Sequence, residues 1–242
     1  VAKKPSYPSS AWLNEIFGSP PRRDIEHDSK STTRVPVRFP STVMYGEGGH
    51  EGTALHLLNH FLRNGLARRV KAQPFSLDEI GGPRGRVPDI LVELDIDPPL
   101  HIIQCKSKRF ITPEVQQKFD EEKEFLEPRG FKFHCWTDRD KLSSPTSQSV
   151  RLLDRGLQLP LTHDRLSEIE RAASQATHLG ELLDQFGWDD AIGAAANDTF
   201  YFDITEKIHE QTPLLSHFPR QKYSLLFEHR SVPRGFWNAL AP

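Results

Sequence analysis

Apolar and polar positions along this chain repeat with two different periods, and each period names an element. From Glu51, Ala54, Leu55, Leu58, Phe61 and Leu62 recur at helical spacing until Asn64-Gly65 stops them, which predicts a helix. Residues 67–75 read as a strand ending at Gln73-Pro74. Residues 87–106 hold two apolar runs around the turn chemistry of Asp95-Ile-Asp-Pro-Pro-Leu100, which predicts a hairpin of buried strands. Thr112-Pro113 opens a helix to about Leu126, with Val115, Phe119 and Leu126 inward and Lys118, Asp120, Glu121 and Lys123 outward. Arg129-Gly130 ends it, and residues 131–137 alternate as a strand. The order helix, strand, strand, strand, helix, strand predicts an α/β core: a mixed sheet flanked by helices.

Outside residues 41–145 the texture changes. Residues 1–40 are rich in Pro, Ser and Arg and read as an N-terminal arm over the core. Its one apolar patch (Ala11, Trp12, Leu13, Ile16, Phe17) predicts a turn or two of helix behind Ser10. The scattered Lys3, Lys4, Arg22, Arg23, Arg34 and Arg38 leave direct DNA contact by the arm as the alternative. Residues 138–162 read as a linker. Within 160–215, Thr162 caps a helix carrying Leu166, Ile169, Ala173 and Ala176; residues 179–186 and 188–196 are further helices, and 199–204 is a strand. This predicts a small helical, winged-helix-like domain. In the tail, 216–242, Phe218, Tyr223, Phe227, Phe236 and Trp237 are packing anchors.

Composition narrows the function. The chain has 242 residues and a formal net charge of −2, too little positive charge for bulk electrostatic binding to nucleic acid. The distribution matters more: residues 63–109 carry nine basic and six acidic side chains, residues 150–242 nine basic and thirteen acidic. DNA is therefore expected at the first region and a protein partner at the second. Two cysteines support neither a disulfide framework nor a cysteine zinc site, so a reducing cytoplasm is the expected compartment. No apolar run reaches the roughly 18 to 20 residues of a membrane span. The first residues, Val-Ala-Lys-Lys-Pro-Ser, lack the apolar core of a secretory signal.

The candidate chemistry sits on the hairpin. Asp89 follows a proline at the head of the first strand, and Gln104 and Lys106 lie two apart on the second, so they share a face. Phosphodiester hydrolysis needs an activated water and neutralised phosphate charge, and a divalent cation on hard oxygen ligands supplies both. Asp89 would be the central ligand, with the Gln104 side-chain oxygen and the Cys105 backbone carbonyl as neutral ones. Lys106 would stabilise the phosphate charge and orient or deprotonate the water. A second carboxylate is wanted. Glu51, which the helix dipole alone also explains, is the candidate, with Glu93 and Asp95 as alternatives. Arg84, Arg86, Lys108 and Arg109 are the expected DNA contacts. His56 and His60, four apart, suggest a zinc helix, but no third ligand is placed, and both are expected at the surface or boundary.

Pro88-Asp89 followed by Gln104-x-Lys106 resembles the PD-(D/E)xK, restriction-endonuclease-like pattern. A glutamine at the acidic position of the second strand is similar to TnsA, the endonuclease subunit of heteromeric transposases. Glu51 with Gln73-Pro74, Lys123 before Gly130, residues 131–138, Phe202-Asp203 and Thr212-Pro213-Leu214 follow in the family's order. The resemblance covers about residues 36–215. It implies a restriction-endonuclease-like fold, Glu51, Asp89, Gln104 and Lys106 as the catalytic set, and Mg²⁺ as cofactor with Mn²⁺ as substitute. It further implies 5′-strand cleavage at transposon ends beside a TnsB-like transposase, and a TnsC-like AAA+ regulator bound by the C-terminal domain, in a bacterial, nucleoid-associated setting. A catalytically inactive assembly subunit and a stand-alone restriction or resolvase nuclease are the competing readings.

Glutamine in place of an acid leaves the site one negative charge short, so its divalent-metal affinity should be weaker than that of a three-acid site. The isolated chain with Mg²⁺ is therefore expected to nick plasmid DNA poorly. Robust sequence-independent nicking would refute this.

Overall fold

A computed structural model describes residues 8–22 and 34–228. Its centre is α2 (Gly48–Arg63), in which every residue from 51 to 61 is buried. A helix with only one apolar stripe can be buried all round when several layers cover it, and three do so here. On one side lies the sheet formed by β3 (Ala67–Ala72), β4 (Ile90–Leu94), β5 (Leu100–Lys106) and β6 (Lys132–Thr137), in that order. On another lies a separate hairpin of β1 (Arg34–Arg38) and β2 (Val43–Glu47), and on a third lies α4 (Ser144–Gly156).

In the four-stranded sheet β3–β4 and β4–β5 are antiparallel and β5–β6 is parallel. A parallel neighbour needs a crossover, which α3 (Pro113–Leu126) supplies. Thr112 caps α3 by accepting a hydrogen bond from the Val115 amide, with Pro113 in the first turn. Strand alternation splits the apolar residues between two cores. Val70, Ile90, Val92, Ile103 and Trp136 join α2. Leu91, Leu100, Ile102 and Phe133 join Leu126 of α3 and Leu13 and Ile16 of α1 (Ser10–Gly18), whose N-cap is Ser9.

The mixed sheet and the helix-strand-strand-strand-helix-strand sequence are as expected, and a mainly helical region follows. Three details differ. Residues 34–38, assigned to the arm, form a paired strand with Val37 fully buried. The linker expected over 138–162 contains α4, which packs against α2 and against α7 (Trp188–Ala196). The two helices approach so closely at Gly156 that a Cβ there would lie 2.8 Å from Ala196 Cβ and from the Ile192 carbonyl oxygen. Its Ser/Thr/Pro-rich first turn hid this helix, because Pro145 suits a helix start but reads as a breaker in sequence. Finally, the strand expected over 199–204 is reduced to one bridge, Tyr201 to Leu215; a second isolated bridge joins His178 to Pro213. The expected helices are present as α5 (His163–Ala173), α6 (Leu179–Phe186) and α7.

One apolar cluster runs from β1 through α2 and α4 into α5–α7. The tail anchors join it: Phe218, Tyr223 and Phe227 surround Phe61, and the Tyr223 hydroxyl accepts from the Ile204 amide at 3.0 Å. Phe236 and Trp237 lie outside the described residues. Among the described residues no helix is long and apolar enough to cross a membrane.

Leu153 of α4 is buried within this shared core. Leu153→Ala should cost about 2–5 kcal/mol in urea unfolding, the range for leucine truncation in a packed interior. A linker residue would give a negligible change.

Candidate active site

The open end of the sheet, where β4 begins and β5 ends, gathers the candidate residues. Ile90 pairs with Ile103, and continuing that register sets Asp89 opposite Gln104. The Asp89 Oδ2 accepts a hydrogen bond from the Cys105 amide at 2.7 Å, which fixes the carboxylate across the strand end. By alternation Asp89, Gln104 and Lys106 share the face that carries α3.

Glu51 arrives from the other layer. It sits in the first turn of α2, is buried, and its Oε2 accepts from the Glu47 amide at 2.9 Å. Helix and hairpin meet tightly there: a Cβ on Gly46 would stand 2.6 Å from the Gly52 nitrogen, and one on Gly52 2.5 Å from Val35. Only glycines permit that approach, and it holds the Glu51 turn against the sheet end. Gln73 bridges the two acids, donating from its backbone amide nitrogen to the Asp89 carbonyl at 2.8 Å and from Nε2 to Glu51 Oε2 at 3.4 Å. The Cys105 thiol is raised first by burial and then by the charges of Asp89 and Glu51.

The alternative acids are committed elsewhere. Glu93 pairs with Arg69, and Asp95 with Arg68 and Arg220. His56 and His60 are both buried, not at the boundary. His60 packs against Phe218 and Tyr223, and burial followed by the charge of Arg63 lowers its pKa to about 3.

The basic residues divide. Lys106, Lys108 and Arg109 are exposed in sequence at the end of β5, with Arg109 over the Phe110 ring at 4.5 Å. Arg84 is exposed in the loop leading to β4. Arg86 is not an open contact: it donates to Glu121 at 2.6 Å and to the Lys118 carbonyl at 3.0 Å, so α3 holds its guanidinium.

Three further residues, none of them assigned to the site from sequence, belong to it. Glu122 of α3 is buried and accepts from Gln104 Nε2 at 3.0 Å, which assigns the Gln104 amide nitrogen and leaves its oxygen on the other side. Asp138 accepts from Ser107 Oγ at 2.9 Å and from the Lys108 amide at 2.8 Å, and lies 3.7 Å from His50, so it ties the segment after Lys106 to the start of α2. Gln73 donates from Nε2 to Glu51 Oε2 at 3.4 Å.

Among the described residues no three His, Cys, Asp or Glu side chains gather around a metal position. The candidate set has only two acids, and its remaining donors, a side-chain amide oxygen and a peptide carbonyl, lie outside those residue types. Two carboxylates, a neutral amide oxygen and a carbonyl are hard donors of the kind Mg²⁺ takes. The buried Gln73 Oε1 beside them has no hydrogen-bond partner among the described residues, which fits a site completed by a hydrated ion.

No protein-family model matches this sequence, and no curated protein matches it. The functional reading therefore rests on the geometry of the site together with the sequence resemblance.

Burial raises the Glu122 carboxyl, opposed by the Gln104 amide and the Arg86 charge. A carboxyl raised in the folded state favours folding most below its unfolded pKa of about 4.3, and that contribution is lost as pH rises through the folded value. Glu122→Gln removes this titration and can still accept from Gln104. Its urea midpoint should therefore gain on the wild type between about pH 4 and pH 8. A gap that does not change with pH would contradict the assignment.

Proposed function

We propose that this chain is a Mg²⁺-dependent DNA endonuclease, the subunit of a heteromeric cut-and-paste transposase that hydrolyses the 5′ strand at transposon ends. The observation that carries the reading is the Asp89–Cys105 hydrogen bond, because it sets an acid beside Gln104 and Lys106 at the end to which α2 delivers Glu51. Glu51, Asp89, the Gln104 oxygen and the Cys105 carbonyl would hold the cation. When bound, it supplies charge neutralisation at the phosphate and a more acidic water.

The protein groups do the rest. Glu122 holds the Gln104 nitrogen, so the amide presents oxygen, not N–H, to the other side. Lys106 is exposed, and its ammonium forms no hydrogen bond or ion pair among the described residues; it would meet the scissile phosphate and orient the attacking water. Lys108, Arg109 and Arg84 extend the positive surface along the DNA backbone.

The helical region supports the partner assignment. Asp164, Glu168, Glu170, Glu181, Asp184 and Asp189 are exposed there, and the exposed Trp188 adjoins Asp189. An acidic surface with an exposed aromatic suits a basic protein face better than DNA. We assign it to a TnsC-like AAA+ regulator, with a TnsB-like transposase acting on the other strand.

Strand-specific cleavage by the reconstituted transposase tests this. Asp89→Ala and Lys106→Ala should each lower 5′-strand cleavage by about 100-fold or more while 3′-strand cleavage and joining continue, as expected when a charge-stabilising group is removed. Excision at the wild-type rate with both variants would instead identify an inactive assembly subunit.

A further inference from the structure

Gln73 combines four features that ordinary packing does not explain. It is fully buried. Its backbone is left-handed, with φ of 48°, a conformation that glycine or asparagine adopts far more readily. The following Pro74 already disfavours the right-handed helical alternative. Its side chain donates to Glu51 at 3.4 Å, while its Oε1 is a buried acceptor without a partner among the described residues.

The backbone explains how the side chain gets there. Strand alternation would send residue 73 the way of Arg69 and Lys71, which lie against Asn14 in the middle of α1 and Ser19 at its C-terminal end. The left-handed turn breaks that alternation, and the amide reaches α2 instead. The turn is tied on both sides: the Gln73 amide donates to the Asp89 carbonyl at 2.8 Å, and the Gln73 carbonyl accepts from the Arg22 amide at 2.9 Å. One residue thus joins the main chain of Asp89 to the side chain of Glu51. Glycine would relieve the backbone but carries no amide, so its absence points to a use for the side chain.

We propose that Gln73 is a positioning residue of the nuclease site. Its Nε2 holds the Glu51 carboxylate toward Asp89, and its Oε1 accepts a hydrogen bond from a water of the divalent cation those acids bind. This rests on the nuclease reading above. A hydrated Mg²⁺ or Mn²⁺ keeps several waters, and a buried acceptor at its edge orients one of them. The lone acceptor and the strained backbone then have one explanation.

The test is Mn²⁺ binding to the full chain, by calorimetry and by the electron paramagnetic resonance signal of the bound ion, with the apo melting temperature measured alongside. Gln73→Gly suits the left-handed backbone and removes only the amide. It should melt no lower than the wild type yet bind Mn²⁺ about 10- to 100-fold more weakly, the usual effect of losing an outer-shell partner. If Gln73→Gly does not fold, Gln73→Asn is measured in its place with the same expectation, because it tolerates the backbone but lacks the reach. Wild-type affinity in the substituted chain, with binding lost in Glu51→Gln, would overturn the role of Gln73 and leave the nuclease reading standing. No Mn²⁺ binding by the wild type would overturn both.

Discussion

The site depends on one hydrogen bond between two strands at the point where they stop pairing. β4 begins at Ile90, so the Asp89 side chain lies just beyond the β4–β5 ladder, where it takes the Cys105 amide near the end of β5. Joining the two satisfies a backbone donor and fixes a carboxylate in one stroke, and a charge-assisted bond of this kind is stronger than the neutral ladder bonds it extends. Every other candidate residue is placed relative to this bond. Gln104 and Lys106 flank Cys105, Gln73 holds the Asp89 carbonyl, and Asp138 fastens the chain immediately beyond Lys106.

Holding Glu51 there is a packing problem that the whole molecule solves. The acid is carried by the first turn of α2, and a buried carboxylate is tolerated only where its surroundings are rigid and polar enough to keep it hydrogen-bonded. The glycine contact between β2 and α2 sets the distance, and the Glu47 amide sets the direction. α4 closes the far side of α2, where Thr53 Oγ1 and Ser147 Oγ lie 3.0 Å apart. The C-terminal helices are thus part of the scaffold for the site, since the same apolar cluster that buries them buries α2.

What the sequence made legible follows from what periodicity measures. The long elements around residues 51–137 were readable because each repeats its apolar positions several times, and Pro88, Gly65 and Gly130 mark their ends. Asp89, Gln104 and Lys106 were readable because a strand's alternation fixes their common face. Glu122 was not: it sits among Asp120, Glu121, Lys123 and Glu124, and a charged stretch of helix reads as a solvated face. Only the neighbouring strand, unrelated in sequence, shows that one of those acids points inward. His56 and His60 failed for the same reason in reverse, because a helix covered on three sides buries even its polar stripe. The left-handed turn at Gln73 breaks the alternation that sequence reasoning relies on, although the pairing of Gln with Pro74 was a visible irregularity.

The Gln104–Glu122 contact also explains the amide at position 104 in physical terms. A carboxylate at 104 would face the Glu122 carboxylate at about the 3.0 Å now spanned by the amide hydrogen bond. Two acids so close and so buried cannot both ionise, so one would be held protonated and lose its value as a ligand. With glutamine there is no second acid, and the Glu122 carboxyl of α3, raised by burial, accepts the amide hydrogen bond from behind the strand. It polarises the amide, and so makes the Gln104 oxygen a better donor to any cation the site binds. Arg86, 3.8 Å from Glu122 and hydrogen-bonded to Glu121, steadies the Glu122 carboxyl there.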